Sequence, residues 1–265
     1  MSPEKAFQSK MDTLKYKVLV STWNVGGLQP SEDFDLEDLL QTEKSYYDIY
    51  VLGFQEIVPL TAKNIMGPER RSISARWNSV IGWTLNKNYR EIKERNSSFK
   101  EYECMISKQM VGIMVTVWVR GELLQHLHHL SVSCVACGFL GFLGNKGAIA
   151  VRFVLHGVSM CFVCCHLASG GKEGDEVRRN SDAIDILSRT TFPHVSSMNL
   201  PRNIFEHDQI ILLGDLNYRI SLPETETKLL VERKEWNVLL KKDQIKAGVA
   251  RWQKEEYSKV GMKAI

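Results

Sequence analysis

Apolar residues in this chain come in short runs that stop abruptly at polar ones. Tyr16–Trp23 runs into Asn24, Asp48–Phe54 into Gln55 and Glu56, Val158–Cys165 into His166, and Asp208–Leu213 into Gly214 and Asp215. Each has the length and β-branched content of a strand. Val111–Val119 and Gly147–Leu155 read the same way, and His156-Gly157 between two of these runs predicts a two-residue hairpin. Helical spacing appears around Ser74 to Arg95, over Glu173–Arg189 with Val177, Ile184, Ile186 and Leu187 as the apolar side, and over Thr225–Lys246 with Leu229, Leu230, Trp236, Val238 and Leu239. No Pro-, Ser- or Gly-rich linker divides the chain, which predicts one α/β domain. Its adjacent, hairpin-like strands favour packed mixed or antiparallel sheets over a doubly wound parallel one. No G-x-G-x-x-G follows a strand, so a dinucleotide fold is excluded.

Composition adds little to that picture. With 265 residues, 44% hydrophobic and 25% charged, the chain is an ordinary globular one. A net charge of +3 falls short of the basic bias of a dedicated nucleic-acid binder, and no nucleic-acid partner is expected. The N-terminus is polar and lacks the apolar segment of a secretory signal. The longest stretch without charged residues, Leu123–Asn145, is interrupted by Gln125, His126, His128 and His129, which argues against a spanning helix. A cytoplasmic protein is the expectation, with peripheral attachment to membranes as the alternative.

Cys134-x-x-Cys137 and Cys161-x-x-Cys164 have the spacing of half a zinc site each. Both pairs lie in apolar runs, however, and residues three apart on a strand point to opposite faces. They read as small hydrophobes in buried strands, with no zinc. His126-Leu-His128-His129 reads as a solvated turn. Gly138, Gly141, Gly144 and Gly147, at period three, read as a loop that brings backbone amides close to phosphate. The Lys-rich segment Lys228–Lys246 reads as a solvated face, and attraction to an anionic membrane or inositide surface is its sharper alternative.

Asn24, Glu56, His166 and the Asp215/Asn217 pair each follow an apolar strand. Singly, each has a bland reading as a turn former or strand end. Jointly they suit one chemistry. A carboxylate with amide and carboxylate neighbours can hold Mg²⁺, which takes few protein oxygens and keeps positions for water and phosphate. A second carboxylate can orient water, and a histidine can stabilise phosphoryl charge. A cysteine phosphatase is excluded because no Cys has Arg six positions on, and Gly171-Lys172 followed by Glu173 is not a Walker A loop. Metal-assisted hydrolysis without a covalent enzyme intermediate is what remains.

Thr22-Trp-Asn24-Val-Gly, Phe54-Gln-Glu56-Ile-Val, Gly141-Phe-Leu-Gly-Asn145-Lys146-Gly147, Cys165-His166-Leu-Ala-Ser-Gly170 and Gly214-Asp215-Leu-Asn217-Tyr218-Arg219 resemble, in order, the motifs of inositol polyphosphate 5-phosphatases, the plant type in particular. That family belongs to the endonuclease/exonuclease/phosphatase superfamily. The resemblance implies an α/β fold, a four-layer α/β sandwich. It implies Glu56 as the Mg²⁺ ligand with Asn24 beside it, and His166 as the phosphate-stabilising group. Asp215 would orient the attacking water, Asn217 would contact phosphate or metal, and Asn145, Lys146 and Arg219 would contact substrate. Implied partners are inositol phosphates or phosphoinositides.

The chain departs from the family in lacking a Pro-Ala-Trp-Cys-Asp-Arg segment and a Ser-Asp-His triplet; Ser181-Asp182 is followed by Ala183. The expectation is a tail over residues 1–15, a catalytic domain over 16–246 without its C-terminal part, and a divergent tail over 247–265. The last strands of one sheet would then be missing and the activity impaired. An inactive inositide-binding fragment and, less favoured, a nuclease of the same superfamily are the rival readings.

Overall fold

A computed structural model describes residues 14–246, apart from 32, 44, 70, 98, 139–140, 142, 173 and 195–198. The tail expected over 247–265, and nearly all of that expected over 1–15, lie outside the described residues.

Eight strands form two sheets of four. The first has the order β1 (Val18–Asn24), β2 (Ile49–Gln55), β4 (Ile113–Arg120), β3 (Tyr102–Met110). The second runs β5 (Leu127–Ala136), β6 (Gly147–Leu155), β7 (Val158–His166), β8 (Gln209–Asp215). β1 and β2 are parallel, as are β7 and β8, and the remaining pairs are antiparallel. The sheets are therefore mixed. His156-Gly157 makes the predicted hairpin, and both residues take positive φ.

Period-two alternation sorts each strand between two cores, which is why the runs are apolar throughout. Ile49, Val51, Val115 and Val117 of the first sheet meet Ile149, Val151, Phe153 and Phe162 of the second. The alternate residues Tyr50, Leu52, Phe54 and Trp118 pack outward under Trp77, Val80 and Ile81 of α3 (Arg71–Asn86). On the other side Ala148, Ala150, Cys161 and Val163 pack under Ala183, Ile186 and Leu187 of α5 (Asp175–Arg189). Helix, sheet, sheet, helix is the four-layer sandwich expected.

Several details differ from the sequence reading. The helix expected from Ser74 to Arg95 is two, α3 and α4 (Tyr89–Arg95), after short α1 (Glu37–Leu40) and α2 (Ala62–Met66). Its C-terminal counterpart also splits, into α6 (Glu224–Glu232) and α7 (Trp236–Lys241), where Lys234 takes φ +56°. Leu229, Trp236 and Val238 stay exposed, and Leu239 is buried. Val177 and Ile184 face solvent, whereas Arg179 is buried beside Ala183 on the packed face of α5. The strand β3 had no clear apolar run, because it is a sheet edge with polar alternate positions.

The histidines 128 and 129 are not in a turn but at an irregularity of β5, where the register against β6 shifts. Cys161 and Cys164 face different cores, as strand geometry requires. Cys134 is exposed rather than buried, and Cys137 is half-buried. Among the described residues no helix is long and apolar enough to cross a membrane.

Candidate active site

Two pairs of parallel strands end side by side. β1 delivers Asn24 opposite Gln55 of β2, and β7 delivers His166 opposite Asp215 of β8. Where β2 ends, the chain turns sharply and Glu56 takes φ +57°; Asn217, just past β8, takes φ +55°. Left-handed backbone at non-glycine residues costs energy, so these turns are held by their surroundings. The Gly27 N–H donates to the Glu56 carbonyl, and the Ile57 N–H to that of Gly112. The Leu167 N–H donates to the Asp215 carbonyl.

The sequence-predicted residues converge. Asn24 Nδ2 donates to Glu56 Oε1 at 3.1 Å and to Asp215 Oδ2 at 3.0 Å, joining side chains 191 positions apart. Its Oδ1 accepts from the Gly26 N–H at 3.0 Å, so Asn24 is also the turn former of its bland reading. His166 Nε2 lies 3.6 Å from Asp215 Oδ2 and 3.8 Å from Glu56 Oε1. Lys146 Nζ lies 2.6 Å from the same nitrogen. Asn217 donates from Nδ2 to the Leu167 carbonyl, and its N–H to Asp215 Oδ1. Arg219 is exposed and reaches Asn217 Oδ1 at 3.4 Å.

Burial, together with the Lys146 ammonium, pushes the His166 pKa down to about 4 against the opposing pull of Asp215 and Glu56. The imidazole is therefore neutral at pH 7, and Nε2 accepts from Lys146. That tautomer carries its proton on Nδ1, a buried atom with no hydrogen-bond partner among the described residues. Burial also lowers the pKa of Lys146, although Asp215 and Glu56 pull it upward.

Two of the four amides expected to approach phosphate are engaged within the glycine loop itself. The Gly138 and Gly141 N–H groups are spent inside it, on the Leu143 and Gly138 carbonyls. A Cβ at Gly138 would sit 2.2 Å from both Asn145 Oδ1 and Leu143 O. The loop can close over Asn145 and Lys146 only without that atom. Asn145 and Lys146 line a cavity of about 410 Å³ with Ser169, Arg178 and Asp182, next to His166.

Sequence reasoning missed the brace behind these loops. Arg179, fully buried, donates to the Gly170 carbonyl at 3.0 Å and to Gln244 Oε1 at 2.9 Å, with Tyr218 against its guanidinium. Asp182 Oδ2 accepts the Ala168 N–H at 2.8 Å, and Asn180 accepts the Tyr218 hydroxyl at 2.7 Å. One helix thus holds the segments after both His166 and Asp215. Helical phase carried a signal, since Arg179 lies four residues before Ala183 and seven before Ile186.

The donor set fits a hard divalent cation. Two part-exposed carboxylates, bridged by the Asn24 amide, would leave room for several waters, as Mg²⁺ prefers. Among the described residues no group of three or more His, Cys, Asp or Glu is arranged as a metal cage.

The sequence model of endonuclease/exonuclease/phosphatase family 2 matches residues 21–256. The chain belongs to that family. It is 54% identical over 254 residues to type IV inositol polyphosphate 5-phosphatase 9 of Arabidopsis thaliana, covering 93% of this chain and 61% of the relative. Type I inositol polyphosphate 5-phosphatase 8 of the same plant is 42% identical, with 89% of this chain and 54% of the relative covered. A solved family member, the inositol polyphosphate 5-phosphatase domain of SPsynaptojanin in complex with inositol (1,4)-bisphosphate and calcium ion, superposes with a TM-score of 0.73. Its identity is 29%, over 90% of this chain and 63% of that one. The chain thus spans 61% and 54% of the lengths of these two relatives.

Proposed function

We propose that this chain carries the site of a Mg²⁺-dependent phosphatase that hydrolyses the 5-phosphate of inositol polyphosphates or phosphoinositides. The observation that carries the reading is the Asn24 amide joining Glu56 to Asp215 beside His166 and Lys146. The 5-phosphatase relatives support the choice of substrate class. Among superfamily chemistries, a nuclease is disfavoured by the modest net charge.

Glu56, with Asn24 beside it, would hold the cation, which when bound supplies charge neutralisation at a phosphoryl oxygen. Asp215 accepts a proton of the attacking water and so points its lone pair at phosphorus. Lys146 donates to a phosphoryl oxygen from a low-dielectric position, where such a contact is stronger than in water. Neutral His166 steadies the Lys146 ammonium through Nε2. Asn217, fixed to the Leu167 carbonyl, has a second amide N–H for phosphate, and Arg219 adds charge at the rim.

The test is phosphate release from inositol 1,4,5-trisphosphate in Mg²⁺, with Asp215→Ala as the blank and a nicking assay on abasic DNA alongside. Phosphate release by the parent alone supports the reading. Nicking without phosphate release overturns it in favour of a nuclease, and binding without either reaction overturns it in favour of an inositide-binding fragment.

A further inference from the structure

The turn after β8 is pinned at successive residues from different quarters. Asn217 Nδ2 donates to the Leu167 carbonyl, and the Tyr218 hydroxyl donates to Asn180 Oδ1 on α5. Arg219 is pinned by one residue 25 positions on. Its N–H donates to Gln244 Oε1 at 2.9 Å, and its carbonyl accepts the Gln244 N–H at 3.2 Å. Gln244 is half-buried just past α7, and its Nε2 donates to Ser221 Oγ at 3.3 Å. The same Oε1 also accepts from Arg179 Nη2 at 2.9 Å. A carbonyl oxygen has two lone pairs. Here they join a fully buried cation to the backbone of an exposed arginine.

The order of strength decides which partner fixes which. Arg179 is held independently of the turn, by the Gly170 carbonyl and by its place on the packed face of α5. A charge-assisted hydrogen bond is roughly twice as strong as a neutral one, so Arg179 sets the Gln244 amide and the amide sets residue 219. The Arg219 side chain then starts from a fixed backbone, and its Nη2 lies 3.4 Å from Asn217 Oδ1. Immobilising a long side chain on a ligand costs conformational entropy, and part of that cost is already met when its backbone is held.

We propose that Gln244 is a positioning residue for Arg219, acting on phosphate recognition through that arginine. The inference rests on the phosphatase reading, which gives Arg219 its phosphate. Glutamine suits the place because one amide serves both donors and still reaches Ser221. Leucine matches its bulk but offers no oxygen. Glutamate keeps both acceptances, with its charge answered by Arg179.

The test is calorimetry on the full chain, with inositol 1,4,5-trisphosphate in EDTA as one probe and Mg²⁺ alone as the other. Gln244→Leu should weaken trisphosphate binding on the order of tenfold and leave Mg²⁺ affinity within about twofold, since Glu56 is not attached to this turn. Gln244→Glu should restore trisphosphate binding to within about threefold of the parent, a rescue that bulk alone would not give. Adding Gln244→Leu to Arg219→Gln should cost no more than about twofold beyond Arg219→Gln alone, because both act through one side chain. If melting shows Gln244→Leu unfolded, Gln244→Asn, whose oxygen is drawn back by one carbon, takes its place under the same criteria. A folded variant that binds the trisphosphate like the parent overturns the proposal. So does equal loss of Mg²⁺ and trisphosphate, which marks a general disturbance, and so does a double variant whose loss is the product of the two single ones. Failure of the phosphatase reading is distinct: the parent would release no phosphate in Mg²⁺ while the Gln244 dependence of trisphosphate binding persists.

Discussion

Replacing Gly138 by alanine tests whether the loop geometry sets the site. The new methyl would lie 2.2 Å from Leu143 O and from Asn145 Oδ1, and contacts under 3.0 Å essentially do not occur. Leu143 O cannot simply rotate away, because it accepts the Gly138 N–H at 2.9 Å. The loop must open by close to an ångström, and Lys146 follows Asn145 directly. Its ammonium now sits 2.6 Å from His166, so such a shift takes it out of hydrogen-bonding range. Losing one charge-assisted contact costs about 1.5–3 kcal/mol, or roughly 10–100-fold in Kd. The strain itself should cost about 1–3 kcal/mol of stability, since none of the loop's described residues belongs to the inter-sheet core or the α3 core. Titration with inositol 1,4,5-trisphosphate in EDTA, next to a melting curve, reads both quantities. Gly157→Ala is the control: it strains a hairpin with φ +83° but meets nothing within 4 Å, and it should leave binding unchanged. A Gly138→Ala chain that binds within twofold of the parent would refute the spatial argument.

Three further outcomes follow from the site. Glu56→Gln should weaken Mg²⁺ binding while leaving the melting temperature near that of the parent, because the carboxylate is part-exposed at a strand end; unchanged Mg²⁺ affinity by calorimetry would remove Glu56 as the ligand. In metal-free protein the His166 imidazole should stay neutral down to about pH 4 by NMR, and its depressed pKa stabilises the fold above pH 6.5. That contribution is lost as pH falls from 6.5 towards 4, at an upper bound of about 3 kcal/mol, and a midpoint near 6.5 would contradict the burial argument. With no Ser-Asp-His triplet in these residues, turnover should fall on the order of 10²–10³ below a relative that carries one; a gap within tenfold would show the triplet to be dispensable.

How much of this was legible in the chain depends on the range of the interaction. The strands before Glu56 and His166 were readable because each is apolar on both faces and ends at a polar residue, and those before Asn24 and Asp215 because an apolar run gives way to a polar residue. The breaks inside the two long helical patterns were not, because Lys87 and Lys234, which fall at the breaks, are ordinary helix formers. Counting apolar residues without fixing the phase of α5 puts Val177 and Ile184 inside, whereas both face solvent. The phase set by Ala183, Ile186 and Leu187 puts Arg179 inside, where carbonyls and Gln244 satisfy it.

The site itself is a product of register, which no local pattern contains. Asn24 and Glu56 arrive on one sheet, His166 and Asp215 on the other, and the amide that joins them links side chains 191 positions apart. A slip of one residue in β8 would turn Asp215 to the opposite face, away from Asn24. What prevents the slip is the apolar content of the same strand. Leu213 packs between the sheets, while Ile210 and Leu212 pack on the α5 side. Displacing them by one position would exchange those partners all along the strand. Gly214 tightens the constraint, since a Cβ there would fall 2.0 Å from the Cys165 carbonyl, and only glycine lets β8 approach β7 so closely just before Asp215. The core and the carboxylate are thereby tied to one register, and a substitution at Gly214 should disturb Asp215 before it disturbs the fold.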